Sequence, residues 1–315
     1  MKKNYLLLVH QNPRQVYRLI RALQDGDSRF FVHVDLKSNL QDFEILRDCQ
    51  NTFIIPERVR CLWGDYSIVQ ATIHLLKNAA TNGYEGFTIL LSGQDYPIKS
   101  NSEINRFLLE NQDYSFMDIV PIEQKWSKKM VDNKIHHYHI LHSEKKSDSN
   151  SYAPFLSGSI KEKARTILHV IKGRLSTESF KKLLKLPVRK PYFSQQYAGS
   201  QWWALNETAT QLIIRYIQEN EKELENYYQF TAAPDEIFFH SILKNLQRQN
   251  TRILIKPSLT YTNWSRKNTL LPVTFAAADL EELLQPEFLW ARKFDINYNV
   301  EILNIIDEKL RSEQP

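Results

Sequence analysis

The sequence predicts an α/β fold with a mostly parallel central sheet flanked by helices on both faces. Three observations carry this reading. Over the first 120 residues short apolar runs alternate with amphipathic stretches, the pattern of repeated strand and crossover helix. Two of those runs, Tyr5–Val9 and Phe87–Leu91, are almost unbroken, as strands covered on both faces are. With 315 residues, 42% hydrophobic and 24% charged, the chain has the composition of a soluble globular protein with a sizeable core.

Each element has a local reason. Tyr5–Val9 is the first strand, and Asn12 with Pro13 supplies an N-cap and a proline at the first helical position, opening a helix to about Leu23. Arg29–Val34 reads as the second strand and ends in His33-Val34-Asp35. A carboxylate at a strand end suits a nucleotide site and suits a capping turn equally. Leu40–Asp48 is expected to be helical, Thr52–Ile55 a third strand, and Trp63-Gly64-Asp65-Tyr66 a loop. From Ser67, the positions Ile68, Val69, Thr72, Ile73, Leu75, Leu76, Ala79 and Ala80 follow a 3.6-residue period, so this helix packs on the sheet. After Phe87–Leu91, Ser92 and Gly93 break the run, and Asp95 stands in a polar turn pinned by Pro97. Open α/β sheets bind ligands at such a position beyond a strand's carboxyl end. Ser100 and Glu103 form a capping box for a helix to Glu110, and Tyr114–Val120 is a fifth strand.

Residues 121–198 change character. They hold the lysine-rich Gln124–Lys129, a histidine cluster (His136, His137, His139 and His142), the polar run Ser143–Ser151 and helical stretches around Lys163–Ile171 and Ser176–Leu184. They read as an insertion forming one wall of a cleft, with Ser143–Ser151 mobile. Ala198–Leu205 restores a strand, and Asn206 caps a helix to about Glu219. Pro234 at a first helical position then places Asp235 and Glu236 among unpaired amides, where the helix dipole favours ionised carboxylates. Ordinary acidic decoration of a helix start would look the same. Strands near Ile253–Ile255 and Leu259–Tyr261, the segment Trp290–Asp295 and a closing helix complete the chain.

A net charge of +5 is mild and dispersed, so nucleic acid is not expected as a partner, whereas a phosphorylated substrate or an anionic membrane face would satisfy it. An aromatic content of 12% suits stacking on bases and sugar faces. Cys49 and Cys61 imply neither a disulfide framework nor a zinc site. The first apolar run is too short for a signal or a span, which makes the expected location cytoplasmic, with peripheral contact at the inner face of the plasma membrane left open. Neither GxGxxG nor GxxxxGK[ST] occurs, which argues against dehydrogenase and P-loop chemistry. Asp25-Gly26-Asp27 spells a DxD but lies between a helix and a strand, where Asp-Gly marks a turn. His136, His137, His139 and His142 lack partners at metal-site spacing and are read as solvated or acceptor-facing. No metal is expected.

Six segments, HVDLKS, LWGDYSIVQA, LLSGQDYPIKSN, GSQWWAL, PDEIFFHSIL and ARKFD, follow one another along nearly the whole chain. With them the sequence resembles the core-2/I-branching β-1,6-N-acetylglucosaminyltransferase family, which also includes peptide O-xylosyltransferases; the insertion matches only weakly. The resemblance implies one GT-A-like glycosyltransferase domain over 1–315, with a nucleotide-binding half (1–120), an acceptor-side insertion (121–198) and a catalytic and diphosphate-binding half (199–315). It implies an inverting transfer of N-acetylglucosamine or xylose from a UDP-sugar to a glycan or lipid-linked oligosaccharide, without metal or other cofactor. Glu236 would be the general base, with Arg292 and Lys293 at the diphosphate. Val9, His10, Asp35, Trp63, Gly64, Ser92, Gly93 and Asp95 would surround the nucleotide sugar, with Asp35 on the uracil. The family's further diphosphate arginine has no clean counterpart: Leu270 falls near it, and Arg266 or Lys267 stand as substitutes. Acceptor contacts would come from Glu123, Lys125, Trp126, Ser200, Trp202, Asp235, Tyr261 and Trp264.

The residue chemistry supports that transfer. Attack by a hydroxyl on an anomeric carbon needs one ionised base within about 3 Å, and a departing diphosphate needs preorganised cations. Double displacement would need a second carboxylate as nucleophile. Asp235 lies about 100° around a helix from Glu236, so inversion is the expected course. Two other readings are a metal-dependent transferase using Asp25 and Asp27 or the histidines, and a non-enzymatic sugar- or nucleic-acid-binding module in which Glu236 is a helix cap.

Overall fold

Parallel strands buried on both faces form the centre of the molecule. The computed structural model describes residues 1–81, 83, 85–146, 148–249, 252–284 and 287–312. The first part runs β1 (Lys3–Val9), α1 (Pro13–Leu23), β2 (Ser28–Val34), β3 (Thr52–Ile54), α2 (Tyr66–Thr81), β4 (Phe87–Ser92), β5 (Asp95–Pro97), α3 (Asn101–Glu110) and β6 (Tyr114–Phe116). The middle holds β7 (Val120–Pro121), α4 (Ile122–Lys125), α5 (Lys128–Ile135), β8 (Tyr138–Leu141), β9 (Ser149–Tyr152), α6 (Ile160–Ile171) and α7 (Thr177–Lys185). The last part holds β10 (Tyr197–Ala198), β11 (Ala204–Leu205), α8 (Glu207–Tyr228), α9 (Phe238–Gln249), β12 (Leu254–Lys256), β13 (Thr260–Thr262), α10 (Leu280–Leu283), β14 (Trp290–Arg292) and α11 (Val300–Ser312).

The main sheet has the order β12-β6-β11-β4-β1-β2-β3. Among the described strands of that sheet only β11 runs against its neighbours. The pleat sends Tyr5, Leu7 and Val9 of β1 to one face, where α1 and α11 cover them, and Leu6 to the other, beneath α2, α8 and α9. β2 lies on one side of β1 and β4 on the other. The order of strands therefore reverses at β1, and a crevice opens at the carboxyl ends there. A smaller sheet, β13-β14-β5, sets Arg292 directly opposite Asp95. The insertion has a small core of its own around Tyr138, Tyr152, Leu175 and Leu183. Among the described residues no helix is long and apolar enough to cross a membrane.

Several local expectations are corrected. Asn12 makes no cap bond; it adopts φ 53°, and its side chain bridges Asp295 and Asn297 instead. Leu40–Asp48 winds as a 3-10 helix. The expected strand Tyr114–Val120 breaks into β6 in the main sheet and β7, which pairs with β10, and Ala198–Leu205 splits in the same way between β10 and β11. α8 continues past Glu219 to Tyr228, bending at Asn220. Pro234–Glu236 is only a three-residue 3-10 turn before α9. Ser149–Ser151, read as part of a mobile run, lie in β9 and pair with β8; Ser147 is outside the described residues.

Candidate active site

A cleft of about 180 Å³ opens at the carboxyl ends of β1, β2 and β4. Its floor comes from Val9 and His10, Asp35, and Ser92 with Gln94; Gln201, Trp202 and Arg292 form the opposite wall. Asp35 is 4% exposed. Its N–H donates to Val9 O at 2.8 Å, which ties the ends of the two strands, and its carboxylate accepts from Lys37 N at 2.8 Å. Arg58 fixes this loop by donating to the carbonyls of Val34, Asp35 and Ser38 at 2.9, 2.9 and 2.6 Å. His33 Nε2 accepts from Val59 N at 2.9 Å, and burial pushes its pKa down to about 4, so the imidazole is neutral.

Arg292 is the cation of the cleft. Cross-strand register brings its Nε to 3.0 Å from Asp95 Oδ1, and its guanidinium lies 4.2 Å from the centre of the Trp202 ring. Asp95 is fully buried and also accepts from Ser92 N–H. Burial pushes its carboxyl up, while Arg292 and the Ser92 N–H pull it back toward the ionised form. Asp95 thus does not face the cleft as a ligand group; it positions Arg292. Lys293 follows on the same strand end, its pKa lowered by partial burial and then by Arg292 and Lys146. Lys146, from the turn between β8 and β9, stands 4.9 Å over the ring of Trp63.

The carboxylate Glu236 sits at the other end of the Trp202 loop. Ala233 N–H donates to Gly64 O at 2.8 Å and Gly199 N–H to Glu236 O at 3.0 Å, which fixes the turn that carries the side chain. Gly199 is required there, because a Cβ would lie 1.6 Å from Asp118 O and 2.8 Å from His240 Cδ2. Lys125 Nζ pairs with Glu236 Oε2 at 2.9 Å and donates to Gly199 O. The buried Lys134 donates to Ala232 O at 2.7 Å, and Lys125 and Lys134 both stack on Trp126, at 5.0 and 4.1 Å. Burial lowers Lys134 to about 8. The fully buried, neutral His240, held at about 3, donates from Nε2 to Ser200 O at 2.8 Å. From Gly199, against the base, to Trp202, against Arg292, there are three Cα steps, at most about 11 Å of chain. Base and cation therefore flank one short loop. Asp235 differs from the expectation of an ionised carboxylate: burial first, then Glu236, raise it to about 7.

Other expected site residues lie apart. Arg266 is taken by Asp279 and Glu282 at 2.9 and 2.6 Å, so it is not a spare diphosphate cation. Tyr261 donates to Glu282 at 2.9 Å and stacks on Phe275. Trp264 is 61% exposed, and Glu123 accepts from Gln195 at 2.9 Å at the surface. Gly93 closes the cleft floor through its N–H to Leu8 O at 3.1 Å. Asp25 pairs with Lys3 and Asp27 with the amino terminus, so the DxD serves structure. Of the four histidines, His136 is exposed, as a solvated side chain would be, His137 meets Glu162, the half-buried His139 is lowered to about 4 mainly by desolvation, and His142 contacts Tyr152. Among the described residues no group of three His, Cys, Asp or Glu is placed to hold a metal ion. Sequence reasoning missed Arg58, Gln94, Gln201, Lys134, Lys146 and His240. Gln201 and His240 lay within motifs already singled out; Arg58 and Lys146 carried no local signal.

A family model described as Core-2/I-Branching enzyme matches residues 4–286. Xylosyltransferase 2 of Rattus norvegicus is 26% identical over 336 aligned positions, covering 99% of this chain and 34% of that protein. Xylosyltransferase 1 of Homo sapiens is 24% identical over 336 positions, covering 99% of this chain and 30% of that protein. The chain spans about a third of the length of these curated relatives.

Proposed function

The chain belongs to the Core-2/I-branching enzyme family, and from that premise we propose that it is a glycosyltransferase moving N-acetylglucosamine or xylose from a UDP-sugar to a glycan or lipid-linked hydroxyl in the cytoplasm. The observation that carries the proposal is the cleft at the strand reversal, with Asp35 on its floor and Arg292 on its opposite wall. The base and ribose of the donor lie toward Val9 and Asp35, and the diphosphate toward Arg292 and Lys293. Glu236, at the far end of the Gly199–Trp202 loop, takes the proton of the acceptor hydroxyl as that oxygen attacks the anomeric carbon. The bond to UDP breaks, and the charge that develops on its phosphate meets fixed cations. Asp235, raised to about 7 by burial, is less ionised at neutral pH than an ordinary carboxylate, which weakens it as a second nucleophile and supports single displacement with inversion.

Metal independence is part of the proposal. Its support is that Asp95, which stands where a metal-dependent transferase keeps its acidic motif, is already engaged by Arg292 and Ser92 N–H. The test is UDP release measured with a panel of UDP-sugars, with and without EDTA. Turnover of UDP-xylose or UDP-N-acetylglucosamine that survives the chelator is expected. Activity that disappears with EDTA and returns with manganese overturns the metal-free mechanism, and no UDP release from any donor overturns the assignment.

A further inference from the structure

Helix α6 is amphipathic in the unusual sense: its apolar side faces solvent. Ile160 is 87% exposed, Ile171 75%, Ile167 and Leu168 45% each, and Leu156 in the turn before it 74%. At about 100° per residue, Ile160, Ala164, Ile167, Leu168 and Ile171 fall in one stripe. Lys163 borders it on one side and Lys161, Arg165 and Lys172 on the other. The opposite, inward side is polar and bonded. Thr166 donates to Glu162 O at 2.9 Å, His169 Nδ1 meets Tyr152 Oη at 2.9 Å, and Glu162 caps Ser159 and reaches His137 at 3.2 Å. The contacts of His169 with Tyr152 and of Glu162 with His137 reach outside the helix and hold this polar side inward. The one acidic residue of the helix is thus turned away from the exposed stripe.

A contiguous exposed apolar stripe rimmed by cations has a specific complement. Lysines and arginines on both borders disfavour a second copy of the same face, because the rims would meet like charge on like charge. They match the negative surface of a bilayer containing anionic phospholipid. We infer that α6 is a membrane-docking helix, lying in the plane of an anionic lipid surface with Leu156, Ile160, Ile167, Leu168 and Ile171 among the acyl chains and its basic borders at the headgroups. The helix has 12 residues, too few to span a bilayer and enough to lie in its interface. Docking of the insertion would bring the acceptor side of the transferase to a lipid surface. That consequence rests on the proposed activity; the docking itself does not.

The test is vesicle co-sedimentation of the full chain with phosphatidylcholine alone and with a 3:1 mixture of phosphatidylcholine and phosphatidylglycerol, at low and high salt. Binding to the mixed vesicles, weak binding to the neutral ones and loss of at least ~10-fold in affinity for the Ile167→Glu/Ile171→Glu variant are expected, with an unchanged melting temperature because both sites face solvent. A Lys161→Gln/Arg165→Gln/Lys172→Gln variant is expected to lose the preference for anionic vesicles. Equal sedimentation of wild type and the double glutamate variant overturns the inference. So does a wild-type dimer that the double variant converts to monomer without any vesicle binding, since the stripe then covers a second copy. No donor is present in this measurement, so its failure leaves the transferase reading standing, and inactivity toward every UDP-sugar leaves the docking helix standing.

Discussion

At the scale of single residues the account turns on Glu236. Its carboxylate pairs with Lys125 at 2.9 Å while remaining 34% exposed, an arrangement that holds the side chain in place and leaves it reachable by an acceptor. Replacing it with glutamine keeps the shape and removes the base. Glu236→Gln is expected to lower kcat by about 10²–10⁴-fold with UDP affinity unchanged in calorimetry. Asp235 gives the same site a pH signature. Burial and then Glu236 raise it to about 7, so the charge beside the base changes across neutral pH. The activity profile should show an inflection near pH 7 that Asp235→Asn flattens; an identical profile in the variant would separate Asp235 from the base. Lys146 offers a charge the sequence did not advertise. If it adds to the field of Arg292 and Lys293, Lys146→Met weakens UDP binding several-fold and leaves uridine binding as it was.

At the scale of elements, the site depends on pairings between distant short segments. Asp95 and Arg292 are 197 residues apart and meet only because β5 and β14 pair in one register. Removing one half of a buried ion pair costs about 3–5 kcal/mol, chiefly through the charge left behind. Asp95→Ala should therefore destabilise in urea unfolding by about that amount and weaken UDP binding as Arg292 loses its anchor. Gly199 is the second pivot. Its Cβ would collide with the carbonyl of Asp118, so Gly199→Ala is expected to cost about 1–3 kcal/mol and, by displacing the loop between the base and Trp202, to reduce turnover by more than the loss of folded protein explains.

At the scale of the whole molecule, the parallel core was legible because strands buried on both faces must be apolar throughout, as Tyr5–Val9 and Phe87–Leu91 are. The same logic placed Asp35 at a strand end over the crevice. What was not legible has one cause: strands of two or three residues, such as β5, β11 and β14, pair with segments far away in sequence and carry no periodicity of their own. So the reversed strand β11, the small sheet and the engagement of Asp95 by Arg292 appear only in three dimensions. The assignment of Arg266 as a spare cation failed for the same reason, since Asp279 and Glu282 reach it through tertiary contact.

Stability of the whole molecule should also depend on acid in a defined sense. His33 and His240 are buried and neutral, lowered to about 4 and about 3, whereas both titrate near 6.5 when unfolded. The unfolded chain therefore binds more protons below about pH 6.5, and stability falls as pH drops from there toward 4. Asp235, raised to about 7, acts in the opposite direction and loses its contribution as pH rises from about 4 to 7. His139 is lowered to about 4 as well, so three histidines oppose Asp235 and the raised Asp95, and a net loss of stability is expected on acidification from about pH 6 to 4, which urea unfolding at pH 4.5 and 6 would register.

The central claim is that a UDP donor occupies the crevice where β1, β2 and β4 end, next to Arg292. Hydrogen exchange read by mass spectrometry, with and without UDP, once in EDTA and once with manganese supplied, tests it most directly. Protection confined to the segments around 8–10, 33–38, 92–94, 200–202 and 290–293 is the result predicted. Protection located instead in the insertion, or seen only when a divalent metal is supplied, would contradict it.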